Sequence, residues 1–191
     1  CEPDVEVDTV VLRSVGASVR LATNTTGREN RYEASCAGGS RGGEQVFKMQ
    51  IGAAGRLIIN IDEGDYDTAL FARTSCELID SELACNDDNE GLLSRIELNV
   101  LASSELYVFV DGFATDTGSA TVSVSLEPLT PCMSDDECSS GVCEAGICAN
   151  PECTSDFECD SGLCQAGRCI DGQRCFDDAE CPSGEICEAL L

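Results

Sequence analysis

The sequence predicts an all-β protein. An antiparallel sandwich fills the first two thirds of the chain, and small disulfide-rich repeats with little regular secondary structure follow. Three observations predict it. Short apolar–polar alternations recur between residues 5 and 127, separated by Gly- and Asp-rich turns. No stretch holds a helical period beyond a turn or two. The last 60 residues carry 11 of the 15 cysteines, at repeated spacing.

The strands can be read off in chain order. "VFKMQI" places Phe47, Met49 and Ile51 on one face. "GRLIINID" does the same for Leu57, Ile59 and Ile61. "SRIELNV" aligns Ile96, Leu98 and Val100, with Arg95, Glu97 and Asn99 opposite. "ELYVFVDG" aligns Leu106, Val108 and Val110. "GSATVSVSLE" aligns Val122, Val124 and Leu126, with Thr121, Ser123 and Ser125 outward. Period two marks a strand with one buried face, and Val, Ile and Thr suit a pleated surface. The runs are punctuated by "GGSRGG", "GAAG", "EGDYD", "NDDNEG" and "DGFATDTG". Seven to nine short strands are expected, and about 120 residues suffice for one two-sheet core.

The tail is a tandem array. "CMSDDECSSGVCEAGIC" (132–148) returns as "CTSDFECDSGLCQAGRC" (153–169) and begins again as "CFDDAECPSGEICEALL" (175–191). In the two complete copies the spacing is C-x5-C-x4-C-x4-C, and the steps between copies are 21 and 22 residues. The aligned positions include Asp135, Asp156 and Asp178, and Glu137, Glu158 and Glu180. The domains are therefore a sandwich at 1–130 and repeats at 131–149, 150–170 and 171–191. Units of about 21 residues bury too little to fold alone, so disulfides must hold them.

Every cysteine is a disulfide candidate: Cys1, Cys36, Cys76 and Cys85 in the sandwich; Cys132, Cys138, Cys143 and Cys148 in the first repeat; Cys153, Cys159, Cys164 and Cys169 in the second; Cys175, Cys181 and Cys187 in the third. Four cysteines allow three connectivities. First-to-third and second-to-fourth is the expected pattern within each repeat. Cys76 and Cys85 flank a short polar loop and are expected to bridge locally, leaving Cys1 to pair with Cys36. The third repeat lacks a fourth cysteine. The same step from Cys187 lands one position beyond Leu191, so the protein is expected to continue there and supply a partner for Cys181. The competing reading is a bridge from Cys181 to another subunit.

Dense disulfides require an oxidising compartment, so a secreted or cell-surface protein is expected. Zinc sites favour closely paired cysteines, often with histidine. Here the spacing is wider and the chain has no histidine. The first residue, Cys1, would also suit a bacterial lipoprotein, which one residue does not establish. No apolar run reaches the roughly 18 residues of a membrane span. The formal net charge is −25. It is shared by both parts and repels nucleic acid and anionic lipid.

Catalysis is not expected. Without histidine there is no Ser-His or Cys-His pair. Carboxylate pairs of the glycosidase kind arise by chance among 36 acidic residues, and no Trp is present to stack a sugar. The best chemical constellation is acidic. "GDYDT" supplies Asp65 and Asp67, "CNDDNE" supplies Asn86, Asp87, Asp88 and Glu90, and Asp111 opens another turn. Calcium takes 6–8 oxygen ligands, and loops meeting at one end of a sandwich can provide them. Calcium is therefore the candidate cofactor. Asp and Asn also cap turns with their own side chains, and both readings stand. Asn24–Thr26 is the one N-glycosylation sequon.

Several of these segments carry a family resemblance. "SCAGGSRGGEQVFKMQIGAAGRLIINIDEGDYDTALFARTSC", "ELACNDD", "SRIELNVLASSELYVFVDGF" and "GSATVSVSLE" resemble the bacterial pre-peptidase C-terminal (PPC) domain, in the form found in secreted proteins of myxobacteria. The resemblance covers residues 5–127. It implies a jelly-roll-like sandwich that accompanies secreted peptidases or surface proteins, has no catalytic residues and in some members binds calcium. The tail resembles the cysteine-rich repeats of Dickkopf-like extracellular proteins in its spacing and "SD-x-EC" element. That implies an extracellular stalk or binding module.

The functional expectation is a non-enzymatic adhesion or binding module. Its partners would be protein or polysaccharide at the cell exterior, or copies of itself, with no nucleic acid and no membrane span. Two alternatives are a subunit of an extracellular filament and the accessory region of a larger secreted hydrolase.

Overall fold

A computed structural model describes residues 1, 5–89, 91–138 and 140–149, and the backbone of strand residues 164–165 and 168–169. The chain forms two compact units, Cys1–Leu129 and Thr130–Leu191.

Nine strands build the first unit: β1 (Val7–Leu12), β2 (Ser18–Asn24), β3 (Gln45–Ile51), β4 (Gly55–Gly64), β5 (Thr68–Arg73), β6 (Glu82–Asn86), β7 (Arg95–Val100), β8 (Ser104–Gly112) and β9 (Ser119–Glu127). One sheet has the order β1-β3-β8-β5-β6 and the other β2-β9-β4-β7. The alternating residues read from sequence fill the space between them. Phe47, Met49, Ile51, Leu57, Ile59, Leu98, Val108, Val124 and Leu126 are at most 2% exposed and share one core. Burial of this kind stabilises by about 1.5–3 kcal/mol per large apolar side chain.

One pairing departs from the antiparallel expectation. β1 runs parallel to β3, from Val7 opposite Val46 to Leu12 opposite Ile51. The reason is topological. Between them the chain crosses to the other sheet as β2, so no tight hairpin forces opposite directions.

β5 shows no alternation, because all six of its residues are buried. Its sheet is covered on both faces. One face meets the second sheet. The other lies under residues 25–44, an irregular strap between β2 and β3. Tyr32 and Ala37 of the strap cluster there with Val46, Ala69, Phe71 and Phe109. Tyr32 meets Phe109 edge-on, with ring centroids 5.2 Å apart. Arg73 is 2% exposed, with its guanidinium 4.9 Å from the Phe71 centroid and 5.4 Å from that of Phe109. It donates to the Glu33 carbonyl of the strap and pairs with Glu82 at 3.6 Å.

Two disulfides fasten this layer, and they correct the expected pairing. Cys1 bonds Cys76 and Cys36 bonds Cys85. Cys76 and Cys85 do not meet because they do not face each other in the β5–β6 hairpin. Cys85 stands opposite Phe71, whereas Cys76 lies beyond the last pair, Arg73 with Glu82. Cys85 is thus left facing the strap, where Cys36 donates its backbone N–H to Cys85 Sγ.

The second unit is described in its first repeat. Cys132 bonds Cys143 and Cys138 bonds Cys148, first-to-third and second-to-fourth as expected. β10 (Cys143–Glu144) and β11 (Ile147–Cys148) form a hairpin. Its turn residues, Ala145 and Gly146, have φ of 49° and 78°. Positive φ at both central positions is the conformation that matches strand twist in a two-residue turn. In the second repeat, β12 (Cys164–Gln165) and β13 (Arg168–Cys169) pair antiparallel in the corresponding register, Cys164 opposite Cys169. The aligned acids close local turns. Asp135 Oδ1 accepts the Cys143 N–H at 2.7 Å, and Glu137 Oε2 accepts the Met133 N–H at 2.8 Å. The bridges expected in the second repeat, and the third repeat with Cys175, Cys181, Cys187 and any continuation, lie outside the described residues.

Candidate functional site

Of the seven candidate calcium ligands, the six among the described residues separate into three groups. Two of them close turns. Asp65 Oδ1 accepts the Ser119 N–H at 2.7 Å, tying the end of β4 to β9. Asn86 Oδ1 accepts the Arg95 N–H at 3.0 Å, and its amide donates to the Asp88 carbonyl at 3.1 Å. The second group is at the surface. Asp67 is held above the ordinary carboxylate value, first by partial burial and then by the charges of Asp88, Asp116 and Asp87. Asp116 was not foreseen. The residues 113–118 containing it curl back toward Asp67, whose carbonyl accepts the Phe113 N–H at 2.9 Å. Glu90 lies outside the described residues.

The third group is interior. Asp111, near the end of β8, is 0% exposed. Its Oδ1 accepts from Ser40 Oγ at 2.9 Å and from the Gly112 N–H at 2.7 Å. Its Oδ2 is buried and receives no donor. Burial pushes the carboxyl up to about 6, against the opposing pull of those two hydrogen bonds. Its neighbour is Glu44, another residue missed from sequence. Glu44 is 6% exposed, and the Arg31 N–H reaches its two oxygens at 3.0 and 3.2 Å. Burial pushes Glu44 up to about 7; the Arg31 hydrogen bond lowers it and the Asp111 charge raises it further. Glu44 shares the strand face of Val46, which a one-sided strand would turn to solvent. Only knowledge of the strap would have marked it as buried.

Among the described residues, the one group of three His, Cys, Asp or Glu ligand atoms within 4.8 Å of one another is Cys132, Cys138 and Cys148. These sulfurs are committed to disulfides.

An open depression of about 720 Å³ lies where β2 and β4 end and β9 begins. Its lining includes Asn24, Arg28, Gln45, Glu63 and Asp65. Asn24 of the sequon is exposed, and its Oδ1 accepts the Thr26 N–H at 2.8 Å. Among the described residues, no helix is long and apolar enough to cross a membrane.

These features define a class: a disulfide-stapled β-sandwich joined to small disulfide modules, of the kind that persists in oxidising compartments. No protein-family model matches the chain. No curated protein matches it. Among solved structures, it is similar to the pre-peptidase C-terminal domain of a collagenase from Bacillus anthracis. That match has 13% identity and a TM-score of 0.40, and covers 66% of this chain and 100% of that one. It is also similar to PliG of Aeromonas hydrophila, a periplasmic inhibitor of g-type lysozyme. Here identity is 12% and the TM-score 0.43, with 64% of this chain and 98% of that one covered. Likeness at this level assigns neither family nor function.

Proposed function

We propose that the chain is a non-enzymatic binding or adhesion module of the cell exterior. The sandwich presents its polar end, with the depression around Arg28, Glu63 and Asp65, to a protein or polysaccharide. The cysteine repeats serve as a stapled stalk. The observation that carries this reading is that all eight cysteines with described side chains are bridged. Two of those bridges pin the layer that covers a sheet face, so the fold is built for an oxidising environment. The resemblance of residues 5–127 to PPC domains of the myxobacterial secreted type supports the reading, as does that of the tail to Dickkopf-like repeats.

Fractionation of the producing cell tests it. The native protein should be found outside the cytoplasm with its thiols oxidised. The same protein should be retained on isolated cell surfaces or matrix polymer, and Arg28→Glu should weaken that retention. A reduced cytosolic pool would overturn the reading, as would a purified chain that turns over peptide or glycoside substrates.

One observation favours the filament alternative. Leu78, Ile79 and Leu83 are 62%, 53% and 45% exposed beside β6, the last strand of its sheet. An exposed apolar edge is a template for pairing with another chain. Concentration-dependent assembly by native chain and its loss in Leu78→Glu would move the proposal to that reading. The accessory-region alternative requires a catalytic segment in the mature protein, which intact mass would reveal.

A further inference from the structure

The second sheet ends on one side at β2, which pairs with β9 alone. The register runs without a shift from Ser18 opposite Ser125 to Asn24 opposite Ser119. The bonds that flank the strand show which of its backbone groups face β9. The Ala17 carbonyl accepts the Leu126 N–H at 2.9 Å, and the Thr25 N–H donates to the Gly118 carbonyl at 2.9 Å. Both pairs continue the register of the strand. In an antiparallel ladder bonded and non-bonded positions alternate, so the odd residues of β2 bond β9. Ser18, Arg20, Ala22 and Asn24 therefore turn their N–H and C=O groups outward. Asn24 is closed by side chains: its N–H donates to Gln45 Oε1 at 3.2 Å, and its carbonyl accepts from Arg28 Nε at 2.8 Å. Among the described residues, no group outside the ladder bonds the backbone of Ser18, Arg20 or Ala22, and all three are exposed.

Proteins usually blunt such an edge with proline or a bulge. β2 has no proline and its ladder has no bulge. By contrast, the pairing of β6 shifts at Ala72/Arg73, and the Arg95 N–H of β7 is taken by Asn86 Oδ1. Two observations say what fits the open edge of β2. The two-fold pairing of β2 with a second β2 that uses all three open residues sets Ser18 opposite Ala22 and Arg20 opposite Arg20. Like charges directly opposite are destabilising, so the edge disfavours a second copy. Residues 13–28 hold Arg13, Arg20 and Arg28 and no acidic residue, within a chain of net charge −25. The Arg20 side chain is 63% exposed and pairs with Asp62 through one nitrogen at 2.9 Å. A guanidinium has five N–H donors, enough to take a second carboxylate and keep Asp62.

We propose that β2 is a docking edge for an extended segment of another protein, which adds as a fifth strand to the four-stranded sheet and sets a carboxylate side chain opposite Arg20. Main-chain bonds to Ser18, Arg20 and Ala22 supply affinity, and side-chain contacts supply selectivity. The added strand stops where Gln45 and Arg28 close Asn24. Its flanking residues there enter the depression, whose lining includes Ala22, Asn24, Arg28 and Gln45. The negative field of the rest of the chain is screened beyond about 8 Å at physiological salt, so contact with Arg20 sets the preference. The inference rests on the proposed binding role and narrows the partner from protein or polysaccharide to an acidic peptide strand.

The test selects binders to the full oxidised chain from a display library of random linear peptides. Selected peptides should carry Asp or Glu between apolar or β-branched residues and bind more weakly as salt rises. The best of them, made synthetically, should slow hydrogen exchange at the amides of Ser18, Arg20 and Ala22. Ala22→Pro removes an outward N–H and leaves the ladder to β9 intact, the position where an edge strand tolerates proline. It should weaken peptide binding at least about tenfold. Arg20→Glu should weaken it similarly and select basic peptides instead. The proposal is overturned if no peptide is selected, if both variants bind within about twofold of wild type, or if protection falls away from β2. It is also overturned if the chain alone dimerises with protection of the same amides, which would make a second copy the occupant. If Ala22→Pro fails to fold, Arg20→Glu and exchange on the wild type decide. Equal retention of wild type and Ala22→Pro on cell surfaces would remove the edge and leave the binding role standing. Peptide binding at β2 with no wild-type retention would support the edge and remove that role.

Discussion

Phe71 and Phe109 stack face to face, with centroids 4.3 Å apart and ring planes 1° from parallel. They lie on adjacent strands, directly opposite in the β5–β8 register. Both are 0% exposed, on the sheet face that turns away from the second sheet. The molecule therefore has two apolar layers. One lies between the sheets and the other lies between a sheet and the strap. Phe109→Ala should cost about 3–5 kcal/mol, the usual range for deleting a buried aromatic. Thermal melts of the oxidised protein would measure it. A loss below about 1 kcal/mol would mean that the strap does not hold this layer closed.

The bridges should divide stability unequally. Cys36–Cys85 spans 49 residues and anchors the strap to β6. Cys36→Ser/Cys85→Ser should cost about 2–4 kcal/mol and expose strap amides to exchange, while the inter-sheet core keeps its β signal. Mild reduction should likewise unmake the repeats and leave the sandwich at least partly folded, as circular dichroism would show. Loss of all β signal on mild reduction would contradict the separation of these layers.

The folded protein should lose stability as pH rises. Glu44 and Asp111 are both raised on folding, from 4.5 to about 7 and from 3.8 to about 6, chiefly by burial. A group whose pKa rises on folding binds its proton more tightly in the folded state. Its contribution is full below the unfolded value and is lost through the folded one. Denaturant midpoints should therefore fall between about pH 4 and pH 7. Glu44→Gln should flatten much of that slope, and an unchanged slope would remove Glu44 as its source.

Gly146→Val should damage the first repeat without touching the sandwich. Gly146 sits at φ 78°, where a β-branched residue is strained by about 1–2 kcal/mol. Oxidative refolding should yield mispaired Cys132, Cys138, Cys143 and Cys148 while the sandwich bridges form normally. Peptide mapping would show it, and native pairing in good yield would sink the argument.

The residues divide clearly into those legible from sequence and those that were not. Strands β4, β7 and β9 announced themselves because each has one face in the inter-sheet core and one facing out, so period two survives; β3 and β8 did so through the halves that the strap leaves uncovered. β5 did not, because "TALFAR" is buried on both faces. Glu44 was missed for the same reason. Its neighbour Asp111 was noticed as a turn acid, yet its full burial depends on a strap with no secondary structure to betray it. Disulfide pairing followed the same divide. In the first repeat the loops are 11 and 10 residues long, and local geometry chose the partners. In the sandwich the separations are 75 and 49 residues, so the tertiary fold chose them and proximity in sequence misled.

Non-reduced peptide mapping of the native protein tests the central claim most directly, since the covered sheet face, the buried carboxylates and the oxidising compartment all rest on the strap being stapled in place. The account predicts Cys1 linked to Cys76, Cys36 linked to Cys85, and Cys132 linked to Cys143, with no free thiol among them. A local Cys76–Cys85 bridge, or free Cys36 and Cys85 in folded protein, would contradict it.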